Sequence, residues 1–563
     1  MRRIYFGWPL FGHHLEFPNS NPSYKKEAAI SAASSDVIKG ADKLKIVTRR
    51  EAASLIKDGI TLGIGGFGAH SAPDELLLGI EERYAQEGHP RGITVFSGIC
   101  TGNNKPDPIG HNHLAAEGLI DTLIAGHYKN SAKMDRLVSE NKIAGYALPL
   151  GVVVNMLRAA ASGKPGVITR VGIHTYADPR VEGCAVNERA RSQGRELATV
   201  MNIDGKDYMF YRTVPIDVCI IRASYADQDG NISLKREDMQ ENQLQMAMAA
   251  HNNGGIVIVQ VEAILERGSI PTREVTINHS IVDYVVVSSP DTHRQNYAVD
   301  RYHPEYTGEI KIPVKDIPAM PLNMRKVIAR RGALELKRGS VINLGIGIPS
   351  GIGSVANEEG IADAVILSLE SGPLGGVPVE GLGFGCATNP ENIYSIQDNF
   401  DFYDGGGLDA AFLGLAQVDE HGNVNVSRFG KSCAGPGGFI NITQSTKNVC
   451  FMGGFTATKP TLDIVDGCLN IVSDGTGVKF VKKVEQITFS ADYARETGQN
   501  VLYITERAVF CLSEEGIKLI EIAPGVDLER DILSHMEFRP LISSELKLMD
   551  SRLFRDEKIG IVL

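Results

Sequence analysis

The chain has 563 residues and a formal net charge of −11, with 43% hydrophobic and 22% charged residues. This length predicts roughly three to four structural units of ~150 residues, because a single hydrophobic core does not grow so large. The acidic balance argues against nucleic acid or an anionic membrane as the main partner, and no apolar run reaches the ~18 residues that a membrane span needs.

The first 42 residues match no standard targeting signal. They begin with Met1-Arg2-Arg3 and contain a Ser/Ala-rich run at 31–35, but acidic residues interrupt the stretch. The apolar core of a signal peptide is also missing. We interpret residues 1–42 as a poorly ordered N-terminal extension. A cytoplasmic location is therefore expected, with the mitochondrial matrix as the alternative if the extension is a transit segment.

From Lys45 onward, helical and strand-like patterns alternate. Helical spacing over 49–58 is followed by the strand-like Gly59–Ile64, a Gly-rich turn, and a helix that opens at Ala72-Pro73-Asp74. Acidic residues in the first turn of that helix suit the positive end of its dipole. Further strand-like runs follow at 93–97, 119–125, 167–172, 218–223 and 256–261. This alternation predicts an α/β fold with a mostly parallel sheet.

The second half of the chain repeats this plan. Residues 340–349 are again a strand that meets a Gly-rich turn. Asp217 to Gly230 and Asp409 to Gly422 both span 13 residues, and each runs through an apolar strand to a Gly-Asn hairpin signal. Strands follow in the same order at 256–259 and 449–452. Three matches in one order predict an internal duplication.

This duplication predicts two tandem α/β halves with mostly parallel sheets. The first half covers residues 43–312 and the second covers residues 322–550. The boundary is placed near 313–321, because Lys311–Pro318 has the composition of an extended linker.

Glu370 is the candidate catalytic residue. It ends the apolar run Ile366–Leu369 and is followed at once by Ser-Gly-Pro-Leu-Gly-Gly. Strands are depleted in Glu, and burial favours the protonated carboxyl because desolvation penalises the charge. The Gly-rich exit permits a sharp turn and the close approach of another molecule. The pattern is that of a carboxylate presented as a nucleophile, and a strand-terminal Glu that protects a sheet edge is the alternative.

Two Gly-rich turns, at 63–68 and 345–347, each connect a strand to a helix. Free N–H groups and a helix N-terminus suit a phosphate, a carboxylate or an oxyanion, and a tight βα connection is the alternative for each turn. Residues 63–68 match the letters of a dinucleotide fingerprint, but Phe67 and the following His-Ser-Ala-Pro argue against pyrophosphate. The cysteines form no C-x-x-C pair and have no zinc-like spacing to His, so no metal site is predicted.

These residues resemble the family I coenzyme A transferases, specifically the single-chain acetate/propionate CoA-transferase group. The resemblance covers about residues 45–550 and is carried by four motifs in the expected order: Asp58–Pro73, Asn343–Pro349, Leu369–Gly375 and Gly435–Phe439. The chain departs from the family pattern at Ser71, where that pattern usually has Gly. It also has Ser371 where related enzymes often have Asn.

The resemblance implies a ping-pong transfer of CoA between a short-chain acyl-CoA and a short-chain carboxylate. Glu370 would attack the thioester to give an anhydride, and the released thiolate would convert that anhydride into a glutamyl-CoA thioester. Because the anhydride is labile in water, the pocket must exclude solvent. The resemblance also implies that the Asn343 side chain and the Gly438 N–H are oxyanion donors. The loops implied to bind CoA or substrate contain Gly65, Gly66, Phe67, Gly345, Gly347 and Gly437.

The same resemblance implies an active site in the cleft between the two halves. CoA would be a co-substrate, without a permanently bound cofactor, and the enzyme would be a homodimer or homotetramer. An acyl-CoA hydrolase that uses the same intermediate is one alternative. A non-catalytic sensor of an anionic metabolite is another, although Glu370 and both flanking glycine loops argue against it. The acyl group stays open among acetate, propionate, butyrate, lactate and acetoacetate.

Three weaker interpretations concern residues near these motifs. Glu380 is expected to be exposed and not to pair with Glu370. Residues 402–407 are expected to form a turn. Five histidines are expected to be hydrogen-bonded structural residues in loops or at helix starts: His70, His127, His174, His251 and His421.

Overall fold

The computed structural model describes residues 44–313 and 319–563. The extension predicted at 1–42 and most of the predicted linker lie outside these ranges. Residues Leu44–Leu563 form one compact unit, and the two halves of the chain contact each other within it. No helix of the described residues has both the length and the apolar character needed to cross a lipid bilayer.

Within residues 44–313, an eight-stranded parallel sheet has the order β1-β14-β12-β9-β2-β3-β4-β5. The helices of this half are α1 (Arg49–Ser54), α2 (Asp74–Glu87), α3 (Ala132–Ser139), α4 (Leu150–Ala161), α5 (Glu188–Gln193) and α6 (Gln243–Asn252). Its strands are β1 (Lys45–Ile46), β2 (Thr61–Ile64), β3 (Ile93–Ile99), β4 (Ile120–His127), β5 (Ala144–Ala147), β6 (Gly166–Thr169), β7 (Ala198–Ile203), β8 (Lys206–Arg212), β9 (Val218–Arg222), β10 (Tyr225–Asp227), β11 (Ile232–Ser233), β12 (Ile256–Val261), β13 (Ala263–Leu265) and β14 (Tyr284–Val287).

Residues 319–563 contain a ten-stranded mixed sheet. The helices are α7 (Met324–Ala333), α8 (Gly351–Glu359), α9 (Ile396–Asp404), α10 (Phe439–Ser445) and α11 (Ala491–Thr497). The strands up to β25 are β15 (Val341–Leu344), β16 (Ile366–Ser368), β17 (Pro373–Leu374), β18 (Val377–Pro378), β19 (Ala387–Thr388), β20 (Asn392–Ile393), β21 (Ala410–Gly414), β22 (Gln417–Asp419), β23 (Val424–Asn425), β24 (Arg428–Phe429) and β25 (Ser432–Cys433). The remaining strands are β26 (Asn448–Met452), β27 (Thr461–Val465), β28 (Cys468–Ser473), β29 (Phe480–Val481), β30 (Asn500–Ile504), β31 (Ala508–Ser513), β32 (Gly516–Ile522) and β33 (Leu541–Leu548). The order of strands in the sheet is β20-β17-β16-β15-β21-β26-β30-β31-β32-β33.

The two large sheets use the same local hydrogen bonds. Asp217 accepts from the backbone N–H of Thr61, and Asp409 accepts from that of Val341, both at 2.8 Å. Each carboxylate ties the start of one strand to the start of its neighbour. The hairpins that follow share a second bond, in which an aspartate accepts from an asparagine N–H at 2.9 Å: Asp227 with Asn231, and Asp419 with Asn423. The predicted α/β fold with mostly parallel sheets is confirmed.

The helix N-termini follow from short-range chemistry. Thr48 caps α1 and forms a capping box with Glu51, so two backbone N–H groups gain acceptors. Helix α2 carries Asp74 and Glu75 in its first turn and ends at Gly88, which adopts the left-handed conformation that favours glycine.

Two hydrophobic cores hold the described residues together, and both contain side chains from the two halves. The first core lies mainly around the eight-stranded sheet and includes Cys433, Ile440 and Tyr493 of the second half. The second surrounds the ten-stranded sheet and also includes side chains of the first half, namely Phe67, Ile99, Leu150, Val154 and Met239. Arg158 of α4 adds an ion pair to Asp398 of α9 at 2.6 Å. Since buried apolar area is the main stabilising term, this shared core fixes the cleft between the halves.

Two local predictions need correction. The run 167–172 does not join the parallel sheet, because only Gly166–Thr169 is a strand and it pairs with β8 in a separate antiparallel sheet. Ile168 is 51% exposed there, so the run has no buried face on the main sheet. The turn expected at 402–407 is wrong for its first three residues, which form the last turn of α9. Phe400 and Tyr403 are both fully buried, and their spacing of three is helical.

The placement of two histidines also differs. His127 ends strand β4 and His251 lies in the last turn of α6, so neither is in a loop or at a helix start. Glu380 is exposed, as predicted, and its carboxylate lies 3.9 Å from Arg325.

Candidate active site

Glu370 lies at the tip of the tight hairpin that connects β16 to β17. The N–H of Leu369 donates to the carbonyl of Pro373, and the N–H of Gly372 donates to the carbonyl of Leu369, both at 3.0 Å. Gly372 has φ +121°, and a Cβ there would lie 2.1 Å from the carbonyl oxygen of Tyr394. Only glycine fits this position, so the exit from the apolar strand turns sharply and Glu370 is left at the tip.

The backbone around Glu370 is held from the neighbouring helix. The side-chain amide of Asn399, fully buried in α9, donates to the carbonyls of Leu369 and Glu370 at 3.0 Å each. The Ser371 hydroxyl, which is also buried, donates to the carbonyl of Gly385. These bonds fix the main chain and leave the Glu370 side chain free to face the cavity.

The Glu370 carboxylate accepts a hydrogen bond from the backbone N–H of Gly438 at 3.1 Å. Gly438 directly precedes α10, and a Cβ on it would lie 2.1 Å from Oε2 of Glu370. The close approach of this backbone to the carboxylate therefore requires glycine. It brings together two predicted site residues that are far apart in the sequence.

Burial raises the pKa of Glu370 to about 7, and the hydrogen bond from Gly438 opposes that rise. Glu370 makes no ion pair with any residue in 44–313 or 319–563. Desolvation without a compensating cation explains the direction of the shift. Near neutral pH part of this group is ionised, and that fraction is a poorly solvated carboxylate that can act as a nucleophile.

A cavity of about 490 Å³ surrounds Glu370 and is lined by both halves of the chain. Apolar side chains form much of its wall: Phe67, Ile99, Leu344, Ile346, Leu382, Phe384, Leu413, Val426, Phe439 and Ile442. Among the described lining residues, Lys129 is the one cation at neutral pH, because burial lowers the pKa of His127 to about 4. The cavity can therefore exclude water around an apolar acyl group.

Asn343 lines the cavity from strand β15, beside Glu370. It is 1% exposed, and its Nδ2 donates to the Ser368 carbonyl and to the Tyr403 hydroxyl at 3.2 Å each. Its Oδ1 has no hydrogen-bond partner among the described residues. The parallel register that pairs Asn343 with Ser368 explains why an amide stands inside an apolar strand.

The predicted loop residues divide into two groups. Phe67, Gly345 and Gly437 line the cavity together with Glu370, Asn343 and Gly438. Gly65, Gly66 and Gly347 do not line it. Gly65 donates its N–H to the carbonyl of Ile220 at 3.0 Å, and the backbone of Gly66 has φ +117° and packs against Thr101. Gly347 is exposed. These three glycines shape the turns and do not contact the cavity.

Ser71 occupies the position where the family pattern usually has Gly. Its φ is +47°, a left-handed conformation that glycine adopts most easily. The Ser71 hydroxyl donates to Oε2 of the buried Glu237 at 2.9 Å. This bond offsets the backbone strain and holds the turn that carries Phe67.

Sequence reasoning missed the segment His127–Asn130, which lines the cavity from the first half. Nδ1 of His127 lies 3.1 Å from Oδ1 of Asn130. The segment follows the carboxyl end of strand β4, an edge where parallel sheets commonly bind ligands, and this position was the available signal. Tyr403 was also missed. Its hydroxyl lies 2.6 Å from the Ser368 hydroxyl.

A buried cluster lies behind the turn that carries Phe67. Potential ligand atoms of His70, Asp238 and Cys386 lie within 4.8 Å of one another. His70 Nδ1 is 2.9 Å from Asp238 Oδ2, and Asn296 donates to the same oxygen at 2.7 Å. Nε2 of His70 lies 3.2 Å from the carbonyl oxygen of Phe384 in the second half, so we interpret the cluster as a hydrogen-bonded contact between the halves. Oδ1 of Asp238 has no partner among the described residues.

The chain is similar to known CoA-transferases over most of its length. Residues 46–288 match the protein family described as coenzyme A transferase. The caffeate CoA-transferase of Acetobacterium woodii is 42% identical over 522 residues, which cover 92% of this chain and 98% of that protein. The acetate CoA-transferase YdiF of Escherichia coli K12 is 41% identical over 523 residues, which cover 92% of this chain and 97% of the relative.

A solved structure shows the same similarity. The crystal structure of the acyl-CoA transferase YdiF apoenzyme from Escherichia coli O157:H7 has a TM-score of 0.87 and 40% sequence identity, with 92% of this chain and 98% of that chain covered. A second crystal structure of that enzyme, described as a thioester complex with CoA, has a TM-score of 0.86 at 40% identity, with the same coverage.

Proposed function

This chain belongs to the coenzyme A transferase family, and from that premise we propose that it transfers CoA between an acyl-CoA and a carboxylate through a glutamyl-CoA thioester on Glu370. The chain is an enzyme, and the two relatives at 41–42% identity are named as CoA-transferases. The finer part of the proposal is the covalent intermediate and the role of each side chain.

The hydrogen bond from Gly438 to Glu370 is the observation that carries the proposal. It places a backbone donor 3.1 Å from the oxygen that becomes the carbonyl oxygen of an acylated Glu370. When a nucleophile attacks Cδ of that group, the oxygen gains negative charge, and a fixed donor stabilises it. A sensor that only binds a metabolite would not need a donor at this position.

The first stage exchanges the acyl group and CoA on the protein. An Oε atom of Glu370 attacks the thioester carbonyl, the C–S bond breaks, and the electron pair leaves on the CoA thiolate. The product is a mixed anhydride between Glu370 and the acyl group. The thiolate then attacks Cδ of Glu370, the Cδ–O bond to the acyl group breaks, and the first carboxylate departs. Glu370 is left as a thioester with CoA, and no net proton transfer is needed.

The second stage runs the same bonds in reverse with a different acid. The incoming carboxylate attacks Cδ of the glutamyl thioester, which releases the thiolate and forms a new anhydride. The thiolate attacks the acyl carbonyl of that anhydride, and Glu370 leaves as a carboxylate. Every step forms one bond to a carbonyl carbon and breaks one, so the two stages balance.

Asn343 is the second oxyanion donor in this proposal. Its Nδ2 now donates to Ser368 and Tyr403, while its Oδ1 has no partner. Rotation of the amide by half a turn would let Oδ1 accept from the Tyr403 hydroxyl, and Nδ2 would give up its bonds to Ser368 and Tyr403. The freed N–H groups would then be available to an oxyanion. Because buried polar atoms usually have a hydrogen-bond partner, an oxyanion beside Asn343 would favour this rearrangement.

The proposal includes the organisation expected from the sequence. Residues 43–312 and 322–550 would be the two duplicated halves, and the enzyme would act as a homodimer or homotetramer in the cytoplasm. CoA would enter as a co-substrate, without a permanently bound cofactor. The apolar cavity would protect the anhydride from hydrolysis.

The covalent intermediate can be trapped directly. We would incubate the enzyme with acetyl-CoA, add borohydride, and identify the modified peptide by mass spectrometry. Reduction of the thioester should convert Glu370 to the corresponding alcohol and abolish activity. The Glu370→Gln variant, treated in parallel, should stay unmodified. An unmodified Glu370 peptide in fully loaded enzyme would refute the proposed intermediate.

Exchange kinetics separate the transferase from a hydrolase that uses the same intermediate. Initial rates of acetyl-CoA with propionate should give parallel double-reciprocal plots, as a ping-pong mechanism requires. Release of free CoA in the absence of a carboxylate should be much slower than transfer. Hydrolysis at the rate of transfer would support the hydrolase instead.

A further inference from the structure

A second cavity, separate from the one around Glu370, lies in the first half of the chain. It has a volume of about 220 Å³, and none of its lining residues lines the Glu370 cavity. Its wall includes Arg222 at the end of β9, Glu262 just after β12 and Ser288 just after β14. Parallel α/β sheets bind ligands beyond the carboxyl ends of their strands. We call this space the arginine cavity.

The arginine cavity is lined by four arginines: Arg222, Arg236, Arg294 and Arg301. Three carboxylates, those of Glu237, Glu262 and Asp300, also line it. Arg236 is paired with Glu262, because its Nη1 donates to the two carboxylate oxygens at 2.9 Å and 3.0 Å. Arg222 lies 3.4 Å from Glu237, and Arg294 lies 3.8 Å from Asp300. Arg301 makes no ion pair within residues 44–313 and 319–563.

Arg222 is the deepest of the four and has an unused donor. It is 4% exposed, its Nη1 donates to the carbonyl of Arg294, and its Nη2 lies 3.4 Å from Glu237. Its Nε has no hydrogen-bond partner among the described residues. An N–H of a buried guanidinium without an acceptor is costly, because the group has lost its water. An acceptor inside the arginine cavity would remove that cost.

We propose that the arginine cavity binds a phosphate group, with the Nε of Arg222 as the buried donor and with Arg294 and Arg301 closing on it from the exposed side. Guanidinium groups match phosphate oxygens with paired N–H donors, so several arginines around one small space suit this anion. The volume is below the ~300 Å³ at which pockets for drug-sized ligands begin. It therefore suits a phosphate group alone rather than a whole nucleotide.

Two sources offer this chemistry, namely a phosphate of bound CoA and a free phosphate anion. Binding of free phosphate does not depend on the function proposed above. The CoA alternative does rest on it, because CoA must then be a co-substrate. The two sources give different results with the same variants.

The test measures phosphate binding by isothermal titration calorimetry at constant ionic strength. The variants are Arg222→Lys, Arg294→Gln and Arg301→Gln; the last two change exposed side chains, so folding is preserved. The control is Arg267→Gln, which removes another exposed arginine, one that pairs with Asp229 outside the cavity. Each cavity variant should weaken binding roughly tenfold or more, since it removes charge-assisted hydrogen bonds. The control should bind like the wild type.

A second titration identifies the source. If a phosphate of CoA occupies the cavity, Arg301→Gln should weaken CoA binding, and inorganic phosphate should compete with CoA. If the 3′-phosphate of CoA is the group bound, the wild type and Arg301→Gln should bind dephospho-CoA, which lacks that phosphate, with the same affinity. If free phosphate is the ligand, it should bind CoA-saturated enzyme with unchanged affinity. The proposal would be overturned if the wild type bound no phosphate and all three variants bound CoA as the wild type does. It would also be overturned if every variant bound phosphate as tightly as the wild type.

Discussion

The backbone N–H of Gly438 donates to Oε2 of Glu370 across 3.1 Å, although 68 residues separate them in the sequence. The bond depends on how closely the chain before α10 approaches the hairpin tip after β16. A single methyl group at Gly438 would lie 2.1 Å from the carboxylate oxygen. This contact provides the most direct test of the site.

We expect Gly438→Ala to reduce transfer by roughly 100-fold or more, the size of effect reported for the loss of one oxyanion donor. The fall should be in kcat, because the added methyl displaces the carboxylate from its donor; it would also lie 2.9 Å from Cζ of Phe400, which must shift with it. Initial rates with acetyl-CoA and propionate measure it. The matched control is Gly414→Ala, which adds the same methyl to the wall of the same cavity with no heavy atom within 4 Å. A comparable loss in the control would mean that cavity volume, and not this contact, limits the rate.

The raised pKa of Glu370 predicts a pH-dependent rate. In the proposed mechanism the attacking group is the ionised carboxylate of Glu370, whose pKa in the folded enzyme is about 7. The rate of the half-reaction with acyl-CoA should therefore rise tenfold per pH unit below about 7 and level off above it. Stopped-flow measurements of CoA release at several pH values test this. A flat profile between about pH 5 and about pH 8 would show that Glu370 is already fully ionised.

The same shift predicts a change of stability with pH. Glu370 has a folded-state pKa of about 7 against an ordinary value of 4.5, so between these values the folded protein binds more protons than the unfolded chain. Stability of the wild type should therefore fall as the pH rises through this window and become constant above it. The neutral Glu370→Gln variant should lack this loss and gain up to about 3 kcal/mol on the wild type.

Urea unfolding of the two proteins at a series of pH values measures that difference. Burial also raises the pKa of Asp404 to about 7, but Asp404 is present in both proteins and its effect cancels. A difference that stays constant between acid and neutral pH would contradict the shift at Glu370.

The sequence predicts those structural features that depend on residues close together in the chain. The apolar run that ends in Glu370 and the glycine that follows two residues later predict the hairpin, because Gly372 must adopt φ +121°. The alternation of helices and strands predicts the parallel sheets, because it follows from local periodicity. Both depend on neighbours along the chain.

The sequence was less informative where the fold brings distant segments together. The contacts of Tyr403 with Ser368 and Asn343 depend on how α9 packs against the β15–β16 pair, and no local pattern encodes that. The glycines at 405–407 indicate a turn and outweigh the helical spacing of Phe400 and Tyr403, so the sequence predicts a turn where α9 ends. His127 lines the cavity only because parallel pairing places the end of β4 beside the second half.

Asn343 provides a test of the second oxyanion donor. We expect Asn343→Ala to lower kcat by roughly 100-fold to 1,000-fold with little change in KM, since the donor acts on charge that develops during the reaction. Tyr403→Phe serves as the matched variant: it removes the hydroxyl partner of the amide but keeps Asn343 itself, so its effect on kcat should be smaller. If Asn343→Ala lowers only the melting temperature and keeps its kcat, the residue holds the β15–β16 pair and does not contact the oxyanion.

The wall of the Glu370 cavity predicts which acids the enzyme accepts. A dicarboxylate would bring a second charge into a cavity whose described lining has Lys129 as its one cation, and burying an unpaired carboxylate is costly. We therefore expect butyrate to be used at least roughly 100-fold better than succinate in kcat/KM.

Phe67 forms part of the apolar wall, and Phe67→Ala should shift preference toward longer acids by roughly tenfold or more, because each added methylene in such a pocket changes the rate by that order. Competition between acetate and hexanoate for one acetyl-CoA pool measures this ratio, with Phe67→Leu as the control of similar polarity and intermediate size. Equal use of butyrate and succinate by the wild type would mean that a cation outside this wall reaches the acyl group, and an unchanged ratio in Phe67→Ala would place the acyl tail elsewhere in the cavity.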